Sequence, residues 1–467
     1  MSDTFGVVKG SITVYMSLVF LIIMSFIVSI MESASIQIAK SYKRADTVLA
    51  VENVFAEYNI DLLKDYSIFA LDTTYKGTHL GGRSNLDAVI NRIKHMGAGE
   101  SDIYASSVIY YTDYGGLGFM NQVVEYAISK YGLDKVVNAD YDESDWVQNK
   151  EQAENTEKKE ADVSEELTGM LSEAQETMPE DSNPISHVSS IKEMSLLELV
   201  LPSEMQVSSK SIDTSGLASN RTLNTGFGDH KLKSYGEGTM RLAICEYILD
   251  HFDLYNSGLD DSMYGSNALD YGVEYIISGH NSDRKNLESI VGKLLLIRFG
   301  VNCIYIQTDE ELKAQSMTMA VALCSALSLP NISEVVSHAI LLAWAYGEAI
   351  MDIRSLLDNK RVPLFKSKES WQLQLSGLLK LGTDEDNESS MDVADGMSYK
   401  DYIRVLLYTE SKEGMIFGAM DLIEADFSGR DKSYIKMDEM IYGLEINSFY
   451  NFRRSISYEF KTAFIYQ

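Results

Sequence analysis

Cysteine is scarce in this chain of 467 residues, which holds only Cys245, Cys303 and Cys324. Three cysteines are too few for a disulfide scaffold, and no CxxC pair is present to begin a structural zinc site. At most one disulfide can form. The simpler interpretation is that all three are small, buried hydrophobic side chains.

Positive charge is also in short supply, because 40 Lys and Arg stand against 69 Asp and Glu, a formal net charge of -29. Phosphate contacts need a basic face, so this balance argues against a nucleic-acid partner and against a polybasic lipid-surface binder. The hydrophobic fraction of 45 % is still enough for a sizeable core. At roughly 150 residues per domain, the length predicts about three domains, or two with a linker.

Motifs that carry chemistry are missing as well. The sequence has no HExxH, no GxSxG and no GxxxxGK[ST] pattern, and Gly236-Glu237-Gly238 lacks the third glycine of a dinucleotide loop. We therefore predict that the protein is not an enzyme and holds no cofactor and no metal. The sequence identifies no small-molecule substrate.

One acidic segment resembles a calcium loop in its spacing. Asp384, Asp386 and Glu388 alternate as calcium ligands do, but Ser389 stands where glycine is expected and Asp395 replaces the closing glutamate. We interpret the segment as an acidic surface loop.

A second acidic group lies on a predicted apolar helix from Ser333 to Asp358. Glu348 and Asp352 are four residues apart, hence on one face, and Arg354 follows them. A buried carboxylate pair beside an arginine is a possible site. Residues of this kind more often line a polar seam or bind loop backbone, which is the interpretation we favour.

The strongest signal is a charge-free apolar run near the N-terminus. From Ile12 to Met31, sixteen of twenty residues are apolar or aromatic. Twenty helical residues rise about 30 Å, the thickness of a bilayer core, so we predict a retained membrane helix. A cleaved signal sequence ending near Ser33-Ala34-Ser35 and a buried core helix are the alternatives.

The orientation of this helix does not follow from charge alone. Lys9 precedes the run, whereas Lys40, Lys43 and Arg44 follow it. Simple counting under the positive-inside rule places the C-terminal side in the cytoplasm, but a long downstream domain is translocated largely regardless of nearby charge.

The residues that lead into the helix resemble the start of a type IV prepilin-like protein. These residues read Lys9-Gly10-Ser11-Ile12-Thr13-Val14-Tyr15. The resemblance implies that a prepilin peptidase cuts between Gly10 and Ser11 on the cytoplasmic side. The family usually has glutamate at the fifth mature position, where this sequence has Tyr15.

The resemblance continues beyond the helix, in segments that together span most of the chain except its acidic middle. Two of them, Glu32-Ser33-Ala34 and Tyr66-Ser67-Ile68-Phe69-Ala70-Leu71-Asp72, are similar to TadE/TadG-like proteins of tight-adherence (Flp) pilus loci. Later segments resemble one uncharacterised branch of unknown function from Gram-positive-type bacteria; they are Tyr271 to Ile277, Ala343 to Glu348, Asp352 to Leu357 and Ser398 to Tyr402. The resemblance implies an exported, membrane-anchored protein associated with pilus-type assembly, and no reaction.

The helix continues past the membrane segment as a pilin-like extension. Val48, Val51, Phe55, Tyr58 and Leu62 recur at helical spacing, and we expect this stripe to pack on the protein's own core rather than on other subunits. Short β-rich runs at residues 66–71 and 103–111, with a helix at 85–96 between them, predict a small α+β unit.

Residues 138–183 are different, because they hold fifteen Asp and Glu against three Lys. Such a block cannot bury enough apolar surface to order itself, which predicts a solvated linker. Beyond it we expect helices at 239–255, 284–301, 309–327, 333–358, 398–410 and 414–426, a strand at 269–278 and a closing antiparallel pair at the C-terminus. The apolar runs 317–329 and 339–346 are too short to span a membrane and are predicted to be buried core helices.

The expected fold class is therefore α+β with a single transmembrane helix. The predicted segments are a leader-like cytoplasmic segment (1–10), the transmembrane helix (11–31), a helical extension with the small α+β unit (32–137), the acidic linker (138–184) and a helix-rich α+β ectodomain (185–467).

From these features we expect a single-pass protein of the cytoplasmic membrane with its C-terminal domain outside the cell. The expected function is that of a structural or assembly protein resembling a minor pseudopilin of a Tad/Flp-type pilus. Its expected partners are the lipid bilayer and pilus or assembly-platform proteins. The alternative is a membrane-tethered extracytoplasmic binding or adhesion module that does not enter a filament.

Overall fold

The structure is a computed structural model. It describes residues 5–78, 83–98, 102–132, 184–201, 207–229, 232–255, 267–326, 330–383, 386, 390–453 and 456–466. Most of these residues are helical and the strands form a small antiparallel sheet, so the α+β class is confirmed. Almost all of the predicted acidic linker lies outside the described residues, and the linker stays a prediction.

Two compact units make up the chain. Unit 1 consists of Met1–Gln122, Leu223–Leu232 and Tyr434–Gln467, and unit 2 of Val123–Thr222 and Lys233–Ser433.

Unit 1 is built around a long N-terminal helix and the antiparallel sheet. Its elements are α1 (Phe5–Phe55), α2 (Ile60–Tyr66), β1 (Leu71–Asp72), α3 (Arg83–Ile93), β2 (Asp102–Tyr110), the start of α4 (Asp113–Tyr131), β3 (Met440–Asn451) and β4 (Ser457–Ile465). Strand β3 is central, with β2 on one side and both β1 and β4 on the other. The predicted closing pair at the C-terminus is confirmed as β3 and β4.

The predicted strand at residues 66–71 is wrong for most of its length, because α2 runs to Tyr66 and β1 holds only Leu71 and Asp72. Helix α2 begins there because the Asn59 side chain accepts hydrogen bonds from the backbone of Asp61 and Leu62, which satisfies two of the free N–H groups of its first turn. The helix ends at Tyr66, because the next residue, Ser67, has a left-handed backbone. The aromatic and β-branched composition of the run favoured a strand, and the local capping outweighs it.

Unit 2 is helical. Its elements are α5 (Pro184–Glu193), α6 (Leu196–Val200), α7 (Glu237–His251), α8 (Gly272–Ser278), α9 (Asp283–Thr308), α10 (Glu310–Ala326), α11 (Ser333–Leu357), α12 (Leu375–Leu378), α13 (Tyr399–Thr409) and α14 (Lys412–Gly429). The predicted long helices are confirmed as α9, α10 and α11, and α11 is buried along most of its length.

Two expectations for unit 2 are corrected. The predicted strand at residues 269–278 is wrong, because residues 272–278 form the short helix α8. Its side chains are buried on all sides, so the sequence has no alternation of polar and apolar residues by which a helix could be told from a strand. Helix α10 is not a fully buried core helix. Ala320 and Cys324 face α11, but the side chains of Met317 and Val321 are 36 % and 47 % exposed.

All three cysteines are free and buried, as the sequence predicts. The Sγ atom of Cys245 lies 3.9 Å from the Sδ atom of Met415, an ordinary packing contact. The stability of the described fold therefore comes from its core and its polar network, with no contribution from disulfides.

Candidate functional site

The first half of α1 is an apolar helix whose side chains are mostly exposed. Helix α1 runs unbroken for 51 residues, and its most apolar stretch has a mean hydropathy of 2.5 and is 0 % buried. Apart from Val19, the large apolar side chains from Ile12 to Met31 are 42–68 % exposed. This stretch rises about 30 Å, which matches a bilayer core.

A second helix is also long and apolar enough to cross a membrane. It is α9, but 61 % of its apolar stretch is buried inside unit 2. Its Arg298 and Asn302 side chains are fully buried in a polar cluster described below. We interpret α9 as a core helix and α1 as the candidate membrane helix.

The three residues predicted for prepilin-type processing all lie on α1. Gly10 and Ser11 are in its first turns, and the side chain of Tyr15 is 67 % exposed. The helix also passes through Ser33-Ala34-Ser35 without a break. Cleavage after Gly10 stays a prediction.

The second half of α1 is seated on the C-terminal strands of unit 1. The Phe55 ring stacks on Phe464 with centroids 4.3 Å apart, and the Tyr466 hydroxyl donates a 2.6 Å hydrogen bond to the carbonyl oxygen of Phe55. One turn after Lys43, the Thr47 hydroxyl lies 2.7 Å from the Tyr450 hydroxyl, and both atoms are buried. The expectation that the stripe packs on the protein's own core is confirmed, since Val51, Phe55 and Leu62 are buried and Val48 and Tyr58 half-buried. The stripe does not lie on one helix, however, because α1 ends at Phe55 and Leu62 belongs to α2.

Two of the cations that follow the apolar stretch contact aromatic rings of the same strands. The Lys40 ammonium lies 2.9 Å from the centre of the Tyr458 ring, and the Lys43 ammonium 5.6 Å from that of Tyr450. Such cation–π contacts contribute about 0.5–1 kcal/mol each at exposed sites. These cations lie about 14 and 18 Å along the helix beyond Met31. They stabilise the junction between α1 and the sheet, which is the contact of residues 40–55 with β3 and β4.

Sequence reasoning missed this junction. The signal that was available is the alternation of Tyr458, Phe460 and Phe464, which places aromatic rings on one face of β4. The alternation does not show that the partner of this face is the second half of α1, which lies near the other end of the sequence.

The predicted carboxylate pair on α11 lies in a fully buried charge cluster in unit 2. Asp352 accepts hydrogen bonds from Arg298 (3.0 Å), Asn302 (3.0 Å) and the Lys366 ammonium (2.7 Å). Glu348 forms an ion pair with Lys366 and accepts the backbone N–H groups of residues 372 and 373 at 2.9 and 2.7 Å. Two buried cations thus balance two buried carboxylates.

The pKa values in this cluster follow from burial and pairing. Burial alone raises the pKa of Asp352, but the charges of Arg298 and Lys366 outweigh it and hold that pKa below its usual value. Burial raises the pKa of Glu348 to about 7, against the lowering effect of Lys366.

The cluster ties loops to helices, which is the interpretation that the sequence favoured. Glu348 fixes the backbone at residues 372 and 373, and Arg298 donates to the carbonyl oxygens of Pro363 and Leu364 at 2.9 and 3.0 Å. Arg354 is not part of it, because its guanidinium binds Asp386 and the carbonyl oxygen of Leu199.

The second buried carboxylate of note is Glu274 on α8, within one of the segments on which the resemblance rests. Its Oε1 atom accepts hydrogen bonds from the Tyr255 backbone and the Tyr399 hydroxyl, both at 2.8 Å. Its Oε2 atom has no hydrogen-bond partner in the described part of the chain. Burial raises its pKa to about 7.

In the acidic segment that resembles a calcium loop, the structure describes Asp386 and residues 390–395 but not Asp384, Glu388 or Ser389. That carboxylate is occupied, since it binds Arg354 at 2.7 Å and the backbone of Gly382 at 2.8 Å. Among the described residues, no group of three or more His, Cys, Asp or Glu side chains is arranged to hold a metal ion.

Comparison with known proteins gives one match. A family model described as a family of unknown function, DUF5702, matches residues 174–452, more than half of the chain. This range contains the described helices of unit 2 from α5 onward and strand β3, but not α1. No curated protein and no solved structure matches the chain.

Proposed function

The chain belongs to the DUF5702 family, whose function is unknown, and we propose that it is a membrane-anchored, extracytoplasmic structural or assembly protein. One observation carries the proposal. Helix α1 is continuous from an exposed apolar stretch, long enough for a bilayer, into the packed core of unit 1.

The energetics of the exposed stretch support the membrane assignment. Moving a large apolar side chain from water into an apolar medium gains about 1.5–3 kcal/mol. For the large side chains of residues 12–31 the total is tens of kcal/mol, well above the ~5–15 kcal/mol that separates a folded domain from its unfolded state. The stretch therefore needs an apolar environment, and lipid is the one its length fits.

The seat of α1 on β4 supports a mechanical role. Ring stacking, a buried hydrogen bond and two cation–π contacts hold the helix to the strands. No flexible linker separates the apolar stretch from the sheet, so a force on the membrane helix is transmitted directly to the rest of unit 1. We propose that this rigid connection presents the protein outside the membrane as a minor pseudopilin of a Tad/Flp-type machine, with pilins or the assembly platform as partners.

A second candidate is a membrane-tethered binding or adhesion module that does not enter a filament. Tyr15 favours it, because the glutamate expected at this position is thought to pair with the N-terminus of a neighbouring subunit. The buried stripe of α1 favours it too, since a face used by the protein's own core is not available to other subunits.

The mature N-terminus distinguishes these candidates. We expect mass spectrometry of the native membrane protein to find Ser11 as the first residue, and a Gly10→Leu variant to keep Met1. An intact Met1 in the unaltered protein contradicts the pseudopilin role and favours the tethered module. A mature protein that begins near Ala34 contradicts both, because the anchor is then absent.

A further inference from the structure

A cleft of about 570 Å³ opens in unit 1 directly after the end of α1. Its volume lies within the ~300–1,000 Å³ of most small-molecule sites. One wall is the turn from Ala56 to Asp61, and another is the turn that begins at Asp72. Since α1 rises about 36 Å between Met31 and Phe55, the cleft lies well away from the end of the apolar stretch.

Three tyrosines, Tyr58, Tyr75 and Tyr434, give the cleft an aromatic lining. The ring of Tyr58 is held edge-on by Phe69, with centroids 5.1 Å apart. Tyr434 packs so tightly on Gly77 that a Cβ atom at the glycine would lie 3.2 Å from the Cβ of Tyr434. The aromatic lining is thus set in place by its own unit before any ligand arrives.

The carboxylates of the cleft already have partners. Glu57 is held by Arg92 through a fork of hydrogen bonds at 2.6–3.2 Å. Asp72 accepts hydrogen bonds from the Thr74 backbone and hydroxyl and from the Lys76 backbone at 2.6–2.9 Å. Both carboxylates are held in place and keep lone pairs for further hydroxyl donors, and Arg92 offsets the charge of Glu57.

The charges of the cleft leave one net negative charge. Three carboxylates, those of Glu57, Asp61 and Asp72, stand against the Lys76 ammonium and the Arg92 guanidinium, so the lining combines polar acceptors with one strong donor. Burial raises the pKa of Tyr75 to about 12, which keeps its hydroxyl protonated at neutral pH. Ile60, 71 % exposed, adds an apolar surface at the cleft.

From this lining we propose that the cleft binds a short, uncharged oligosaccharide. Pyranose rings present apolar C–H faces that stack on tyrosine and hydroxyl edges that donate to fixed carboxylates, which is the combination found here. A polyamine or a basic peptide carries several positive charges and fits less well, because the cleft has one net negative charge and Lys76 would repel such a ligand. The inference does not depend on the pilus role, since it concerns unit 1 alone.

The test is calorimetric titration of the detergent-solubilised full chain with two neutral probes, chitotetraose and cellotetraose, and with spermine as a cationic probe. We expect saturable binding of at least one tetrasaccharide, weakened at least tenfold by Tyr434→Ala and retained in Tyr434→Phe. Lys76→Met should weaken it about threefold or more. Lys76 is exposed and methionine keeps an unbranched side chain, so this variant keeps the fold and tests the donor. Tyr104→Ala, on the sheet outside the cleft, is the matched control and should bind as the unaltered protein does.

Absence of binding by both tetrasaccharides overturns the proposal. So does tetrasaccharide binding that neither Tyr434→Ala nor Lys76→Met weakens, because the sugar then binds elsewhere. Preferential binding of spermine, strengthened by Lys76→Glu, overturns it in favour of a cationic ligand.

Discussion

The ring of Phe55, at the last residue of α1, stacks on the ring of Phe464 in the last strand, with centroids 4.3 Å apart and planes 27° apart. The Tyr466 hydroxyl reinforces this contact by donating to the carbonyl oxygen of Phe55, a pair 411 residues apart in the sequence. Two segments far apart in the sequence therefore stabilise each other, and α1 is held by the C-terminal strands.

Phe464→Ala tests how much this contact holds α1 in place. Phe464 is only partly buried, so we expect a loss of about 2–3 kcal/mol, below the full cost of a buried phenylalanine. The loss should appear as faster amide hydrogen exchange at residues 47–55. Phe449→Ala, which removes a partly buried ring stacked on Tyr104, is the matched control. Equal exchange at residues 47–55 in both variants contradicts the role of Phe464.

The cation at Lys40 provides a milder test of the same junction. Lys40→Met removes the contact with the Tyr458 ring but keeps most of the apolar stem, so a loss of about 0.5–1 kcal/mol is expected. Hydrogen exchange of the same helical residues reports it. Lys64→Met, at an exposed lysine on α2, should have no effect beyond error, and an equal effect of the two substitutions argues against a specific Lys40–Tyr458 contact.

The buried cluster in unit 2 should be far more sensitive than an exposed ion pair. Asp352→Asn leaves Arg298 and Lys366 with a single carboxylate in a buried site, and an uncompensated buried charge costs about 3–5 kcal/mol. Arg361→Met, which breaks a pair with both side chains more than 40 % exposed, should cost less than about 1 kcal/mol. Chemical denaturation measures both, and similar losses would mean that the cluster does not stabilise the fold.

Glu274 predicts a pH dependence of stability. Its folded pKa of about 7 exceeds the ordinary value of 4.5, so the native state binds the proton more tightly than the unfolded state does. The contribution of Glu274 is therefore complete below pH 4.5 and is lost as the pH rises through 7, by about 3 kcal/mol. Glu274→Gln should remove this loss, which makes the variant the more stable protein at pH 8 and leaves it similar at pH 4.5. Parallel stability profiles of the two proteins contradict the assignment.

Much of the helical framework could be predicted from periodicity, because α9, α10 and α11 carry long apolar patterns with a proline before the last of them. The failures have physical causes. Val273, Tyr275 and Ile276 favour a strand by composition, whereas their burial on all sides of a short helix leaves no pattern to read. At α10, apolar content predicted burial, but Met317 and Val321 remain exposed.

The polar sites were predictable only in part. Glu348 and Asp352 were visible as a helical carboxylate pair, and their use in binding loop backbone was the favoured interpretation. Their partner Lys366 lies in an irregular segment with no pattern of its own, and the seat of α1 depends on residues such as Phe464 and Tyr466 at the other end of the chain. Contacts of this range follow from tertiary packing and not from local spacing.

The central claim, that residues 12–31 cross the membrane with the chain from residue 32 onward outside, is tested most directly by labelling single cysteines. The three native cysteines are buried, so intact cells should give little background with a membrane-impermeant maleimide. We predict that Ser457→Cys, exposed on β4, is labelled in intact cells. Ser2→Cys, placed in the Gly10→Leu variant so that residues 1–10 are retained, should be labelled only after permeabilisation. Labelling of Ser2→Cys in intact cells, with Ser457→Cys protected until permeabilisation, would contradict the account.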